Sequence, residues 1–216
     1  MPDFGQADDS TLLTAWQSGD SGASGELVRR HYRSIYLFFF SKVGPDAAQD
    51  LTQTVFERVL EKPHDFRGDA TVRTYLFGIA RWTLVHHHRK HRALAETFDP
   101  SLDPLEIPED VISMTSALAA RREEVLFVRA MRDLALDDQL VLELKYYDGM
   151  TVRELAAVFE TPRATMADRV ARARTRLAEA VGRLEGSAKI VESTMAGLDE
   201  HMKAIRAQFA ARMKSR

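Results

Sequence analysis

TVRELAAVFETPRATMADRVARARTRL, Thr151 to Leu177, reads as two short helices joined by a tight turn, the second crowded with arginine. In the first helix Val152, Leu155, Ala156 and Phe159 recur at i, i+3, i+4 and i+7, an apolar stripe that must be buried against a partner surface. Thr151 with Glu154 supplies a capping box at its start. Pro162 stops that helix and suits the first turn of the next, where its missing N–H costs nothing. In the second helix Met166, Val170 and Leu177 face inward, and Arg163, Arg169, Arg172, Arg174 and Arg176 are left for solvent or phosphate. Ala164, Ala167, Ala171 and Ala173 keep the rod slim enough for a major groove. The layout is that of a helix-turn-helix that reads DNA. A solvated arginine-rich face on an ordinary helical hairpin is the competing reading of the same residues.

Composition agrees with a helical intracellular protein. At 216 residues the chain is long enough for two domains. It has no cysteine, which excludes disulfides and thiolate metal sites. The start, MPDFGQADDS, lacks the basic and apolar blocks of a signal peptide, and no run approaches the roughly 18 apolar residues of a membrane span. The expected location is the cytoplasm, with no membrane partner and no cofactor.

The net charge of −2 conceals a strong asymmetry. Residues 163–176 carry five arginines against Asp168 alone. Residues 81–92 hold Arg81, Arg89, Lys90 and Arg92 with His86, His87, His88 and His91 and no acid. Between these lie Glu96, Asp99, Asp103, Glu106, Glu109 and Asp110, so two basic sites flank an acidic tether. The tether, ETFDPSLDPLEIPED, has Pro100, Pro104 and Pro108 at every fourth position and no sustained periodicity, which reads as an extended linker. The histidines suit phosphate contacts or open surface better than metal, because their setting is basic and lacks cysteine.

Helical patterns precede the tether at Asp9 to Trp16, Gly25 to Val43, Pro45 to Glu61 and Thr71 to His91, and follow it at Thr115 to Leu134 and Asp137 to Tyr147. Strand-like alternation and internal repeats are absent. The expected fold is all-α: a first helical domain over 8–92, a linker over 93–114, a second domain with the helix-turn-helix over 115–184, and a helical extension over 185–216.

Within the first domain DLTQTVF, Asp50 to Phe56, is followed by a loop with Phe66, Arg67 and Gly68 and then by TYLFGIA, Thr74 to Ala80, with a basic tail. These blocks resemble region 2 of the bacterial sigma-70 superfamily, in its compact extracytoplasmic-function (ECF) class. The segment LALDDQLVLELKYYDGMTVRELA with the helix-turn-helix resembles region 4 of the same family. The resemblance implies an alternative sigma factor that binds core RNA polymerase through the β′ clamp and β, and it implies no catalysis by the chain itself. It places Asp50, Gln53, Thr54 and Glu57 at the β′ clamp, and Phe66, Arg67, Arg73, Arg81, Arg89, Lys90 and Arg92 at the minus-ten strand. It places Arg163, Thr165, Asp168, Arg169, Arg172 and Arg174 at the minus-thirty-five element. Two other readings remain: a helix-turn-helix regulator independent of polymerase, and a degenerate sigma-like module that only binds a partner.

Departures from the family pattern carry information. Ala47, Gln49 and Thr54 stand where acids are common, which thins the carboxylates that would meet the basic clamp. A phosphate on Thr54 or Thr52 would restore about −1.5 to −2 of charge. This opens control by a Ser/Thr kinase, or by an anti-sigma factor, against the plain alternative that both are ordinary helix residues. Tyr75 and Trp82 replace a family Trp and Asn, and Phe66 is either a stacking surface for an extruded base or part of the core. Glu160 stands where a turn glycine is usual, and Ala167 and Asp168 where Lys and Ser are frequent.

The family does not account for the tail. Leu177, Val181, Leu184, Ala188, Val191, Met195, Leu198, Met202, Ile205 and Phe209 are spaced alternately by four and three, a heptad seam weakened by Gly182, Gly186 and Gly197. Folding back on the body, pairing with another chain and serving as a docking strip are the three ways to cover it, and folding back is the expected one.

Overall fold

The computed structural model describes residues 4–61, 66, 68, 70–91, 99–104, 122–185, 188–198, 200, 203, 204 and 207. The described elements are helical, and the one β-type pairing is an isolated bridge between Pro104 and Ala135. The chain divides into two compact units, residues 1–93 together with 157–160, and residues 94–156 together with 161–216.

The first unit contains α1 (Asp9–Gln17), α2 (Ser21–Val43), α3 (Pro45–Glu61) and α4 (Val72–His91). Asp8 caps α1 by accepting the Thr11 N–H at 2.7 Å. Asp20 caps α2 through the N–H groups of Gly22 and Ala23, so α2 begins at Ser21 and not at Gly25: an aspartate at the N-cap outweighs the poor helix propensity of the glycines behind it. Gly44, at φ 81°, ends α2, and Pro45 opens α3 immediately afterwards. The core is built from Leu12, Ile35, Phe39, Val55, Leu76, Phe77 and Leu84, all at most 2% exposed. Phe38 meets Phe39 and Phe77 edge to face at 5.2 and 5.6 Å. Each buried side chain of this size contributes about 1.5–3 kcal/mol relative to exposure. An ionic cluster ties the N-terminal arm to α2: Glu26 accepts from Arg29 and Arg30, and Arg30 also donates to the Phe4 and Ala7 carbonyls and to Asp9.

The second unit contains α5 (Arg122–Arg132), α6 (Leu136–Leu142) running into a π turn (Glu143–Tyr147), the first five residues of α7 (Val152–Val158), α8 (Arg163–Glu185) and α9 (Ala188–Ala196). Residues 105–121 lie outside the described residues, so the expected helix start at Thr115 does too. Phe127, Leu136, Leu140, Leu142, Leu144, Met150, Met166, Leu177 and Val181 form the core, none more than 2% exposed. The extension folds back: α9 packs against α5 and α8, and Thr194 and Leu198 are buried. Met202, Ile205 and Phe209 lie outside the described residues.

Part of the expected linker has structure of its own. Residues 99–104 form a turn in which Asp99 accepts from Ser101 and Asp103 closes back on the Asp99 N–H. The turn lies against the start of α6, where the Leu136 and Asp137 N–H groups donate to the Asp103 and Pro100 carbonyls at 2.9 and 2.8 Å. Ala135, the N-cap of α6, has no side chain to accept these bonds, so the turn supplies acceptors that a capping Ser or Asp would have supplied.

Candidate polymerase-docking and promoter-reading faces

Helix α3 sorts its residues by period. Ala48, Thr52, Val55, Phe56 and Val59 are buried, and Asp50, Gln53, Thr54 and Glu57 are all exposed. Gln53 donates to Glu57 at 2.7 Å, and Thr54 donates its hydroxyl to the Asp50 carbonyl at 2.9 Å. Two carboxylates, an amide and a hydroxyl therefore form one acceptor-rich strip. Thr52 is not part of it: its hydroxyl is fully buried and donates to the Ala48 carbonyl at 2.7 Å. A kinase cannot reach it in this fold, which corrects its place beside Thr54 as a candidate.

The basic residues of α4 do not share one face. At about 100° per residue, Arg73 falls opposite Trp82, on the side that carries Leu76, Phe77, Ala80 and Leu84. Its guanidinium lies 5.8 Å from the Phe77 ring centre. Arg81 is half-buried, and Arg89 and Lys90 are exposed. Arg67 and Arg92 lie outside the described residues. Phe66 is core: it is 7% exposed, packs edge-on against Tyr75 at 5.0 Å, and its carbonyl accepts from Gln17 at 3.1 Å. Of the two readings the sequence left for Phe66, packing therefore prevails over base stacking.

An exposed ring system that sequence reasoning did not select lies further along α4. Trp82 is 49% exposed, stacks on His86 at 5.1 Å with the planes 5° apart, and lies 4.0 Å from the Arg58 guanidinium carbon. The spacing of 82 and 86 was the available signal, since i and i+4 share a helix face. No three His, Asp or Glu side chains converge as a metal site among the described residues.

The helix-turn-helix begins with the capping box read from sequence: the Thr151 N–H and hydroxyl both donate to Glu154 at 2.8 Å, and the Glu154 N–H returns to the Thr151 hydroxyl at 3.2 Å. The turn passes through Glu160 at φ 49°, the left-handed region that favours glycine. Helix α8 buries Met166, Val170, Ala173, Leu177, Ala180 and Val181. Its outward centre line is small and polar, with Ala164, Ala167, Asp168, Ala171 and Thr175 all exposed. The arginines stand on the flanks, Arg163 and Arg174 on one side and Arg169, Arg172 and Arg176 on the other, with Thr165 on the second flank.

Two of these arginines are ion-paired within their own domain, and the guanidinium of a third, Arg174, lies 5.8 Å from the Tyr146 ring centre. Arg169 Nη2 donates to Asp137 Oδ2 at 3.2 Å, and Arg176 Nη1 donates to Asp138 Oδ2. The carboxylate side chains are 5% and 4% exposed, and their partners 27% and 50%. Both acids sit in the first turn of α6, where the helix dipole favours negative charge, but burial at this depth requires a cation as well. Arg169, expected at DNA, is thus committed to an internal pair, whereas Arg163, Arg172 and Arg174 remain exposed.

Residues 27–94 match the family model for Sigma-70 region 2, and residues 116–177 match that for Sigma-70, region 4. The chain belongs to the sigma-70 family. Within it the ECF class is indicated by the ECF RNA polymerase sigma-E factor of Escherichia coli (strain K12), 27% identical over 181 residues that span 78% of this chain and 92% of the relative. The structure of CnrH in complex with the cytosolic domain of CnrY matches with a TM-score of 0.58 at 22% identity, covering 79% of this sigma factor and 95% of that chain. The sigma factor RpoE in complex with the anti-sigma factor NepR from Bartonella quintana matches with a TM-score of 0.52 at 21% identity, covering 73% and 95%. Both likenesses show the sigma fold. Among the described residues of this ECF sigma factor, no helix is long and apolar enough to cross a membrane.

Proposed function

We propose that this chain is an alternative sigma factor that binds core RNA polymerase through the exposed strip of α3 and directs initiation from promoters whose minus-thirty-five element is read by α8. The observation that carries the reading is the pairing, in one chain and in family order, of an open acceptor-rich strip at Asp50, Gln53, Thr54 and Glu57 with a recognition helix flanked by exposed arginines. The strip offers charge-assisted hydrogen bonds to a basic clamp, and Arg163, Arg172 and Arg174 offer phosphate contacts beside the small centre line of α8. In region 2, the exposed Arg89 and Lys90 and the half-buried Arg81 are the cations we assign to the phosphates of the minus-ten strand. The exposed ring surface near them belongs to Trp82 and His86.

The second part of the proposal concerns control. The strip is short of acid, and the threonine in it that is open to solvent is Thr54. Phosphorylation of Thr54 by a Ser/Thr kinase would add about −1.5 to −2 of charge one turn from Asp50. An anti-sigma partner is the other route of control, of the kind seen for the RpoE–NepR pair.

Purified core polymerase mixed with the unmodified chain, with the Thr54→Glu variant and with kinase-treated chain tests both parts. Capture of core with promoter-dependent transcription supports the sigma factor. Capture only of the acidic or phosphorylated form supports the switch. Duplex binding without core capture favours a polymerase-independent regulator, and neither activity leaves a partner-binding module.

A further inference from the structure

We propose that the adjacent carboxylates Asp137 and Asp138 determine which arginines of the recognition helix can reach DNA, withholding Arg169 and Arg176 from phosphate and leaving Arg163, Arg172 and Arg174 to engage it. The inference rests on the reading of α8 as the helix that meets DNA, and it names positioning residues that make no contact with DNA themselves.

The geometry is specific. Arg169 and Arg176 lie seven residues apart, hence nearly above one another on the same flank of α8, and they meet two consecutive acids on α6. The acids are buried and their partners are part-exposed, so each guanidinium keeps a path to solvent while its charge is spent inward. Arg172 stands on the same flank between them and donates its Nε–H to the Asp168 carbonyl of its own helix, at 3.4 Å. The start of α6 is itself held in place by the Asp103 and Pro100 carbonyls of the linker turn, which fixes where the two carboxylates stand.

The consequence is selectivity. Each phosphate neutralised steepens the dependence of log K on log salt by about 0.9 and adds affinity for any sequence. Withdrawing two cations from the interface therefore removes sequence-independent binding while leaving the outward line of Ala164, Ala167, Asp168, Ala171 and Thr175 to meet base edges.

The test is fluorescence anisotropy of the full chain on a labelled duplex of random sequence, over a salt series, with circular dichroism to confirm folding of each variant. Arg172→Gln is expected to lower the slope by about 0.9, whereas Arg169→Gln leaves it unchanged. Asp137→Asn is expected to steepen the slope by about 0.9, so that affinity falls an extra three- to fourfold or so between 50 and 200 mM salt. A slope lowered equally by Arg169→Gln and Arg172→Gln overturns the proposal, because Arg169 would then be a phosphate contact. An unchanged slope in folded Asp137→Asn overturns it as well; if that variant does not fold, the comparison of the two arginine variants decides. Loss of neither arginine altering DNA affinity overturns the reading of α8 as a DNA-binding helix, and the proposal with it.

Discussion

Thr54 Oγ1 donates to the Asp50 carbonyl oxygen at 2.9 Å on the open side of α3, so the hydroxyl and the carboxylate one turn before it share an exposed strip. Thr52, two residues earlier, is fully buried with its hydroxyl on Ala48. The two threonines should therefore answer substitution in opposite ways. Thr54→Glu is expected to tighten binding of core polymerase about tenfold, equivalent to about 1.4 kcal/mol, and Thr54→Ala to leave the binding of unmodified chain within about twofold. Thr52→Ala should leave docking alone and lower stability by about 1–2 kcal/mol, through a lost buried methyl group and a lost hydroxyl–carbonyl hydrogen bond. Titration of labelled core and denaturant unfolding separate the two effects; equal docking by Thr54→Glu and the parent would sink the proposed role of charge at this position.

The pair of Arg169 with Asp137 is asymmetric, because the acid is buried and the arginine is not. Arg169→Ala removes a cation from beside a buried carboxylate and is expected to cost about 2–3 kcal/mol, at or just below the usual range for breaking a buried pair. Asp137→Ala, which leaves an arginine able to turn to water, should cost less. Urea unfolding of the two single variants and the double variant measures the difference, and a coupling near zero would mean that the pair is not formed in solution.

Glu160 occupies a left-handed conformation at φ 49° in the turn between α7 and α8. A side chain there costs about 1–2 kcal/mol that glycine does not incur. Glu160→Gly is expected to raise stability by about 1 kcal/mol after the added entropy of the unfolded glycine is subtracted. Thermal melts of the two proteins check this, and a lower melting temperature for the variant would show that the Glu160 side chain holds the turn by contacts of its own.

Hydrogen bonds from Arg29, then Arg30, hold the Glu26 carboxyl down to about 2. A depressed carboxylate stabilises the fold at pH values above its unfolded value, near 4.5, and that contribution disappears as pH falls toward about 2. Glu26→Gln should therefore lower stability by a constant amount above about pH 4.5, and its difference from the parent should vanish as pH falls toward 2, which flattens the acid limb of the profile. Because the pair is near the surface, added salt should shrink the difference. Acid unfolding followed by circular dichroism at low and high salt reads both effects.

Leu198, 2% exposed, anchors the chain just beyond α9. Leu198→Ala is expected to cost about 2–3 kcal/mol, toward the low end for a buried leucine. A change below about 0.5 kcal/mol in denaturant unfolding would place the extension outside the cooperative unit.

Much of the helical order was legible because it is local. The i, i+3, i+4 stripes, Pro45 and Pro162 at helix starts, and the Thr151–Glu154 box all act within a turn or two of chain. The start of α2 is set by the Asp20 cap and lies four residues before the periodic stretch at Gly25, so periodicity alone places it too late. The turn at 99–104 was read as part of an extended linker because its partners, the N–H groups of Leu136 and Asp137, lie more than 30 residues away. The proline spacing gives no hint of them.

Function divides along the same line. The amino-acid sequence alone determined an all-helical chain with two blocks in sigma order and a helix-turn-helix, since periodicity, capping and motif order are properties of short segments. Tertiary structure alone decided that Thr54 is open and Thr52 closed, that Phe66 belongs to the core, and that Arg169 and Arg176 answer to Asp137 and Asp138. Those outcomes depend on which surface each side chain meets after packing. A buried charge or hydroxyl finds its partner across the fold, wherever burial makes leaving it unsatisfied too costly.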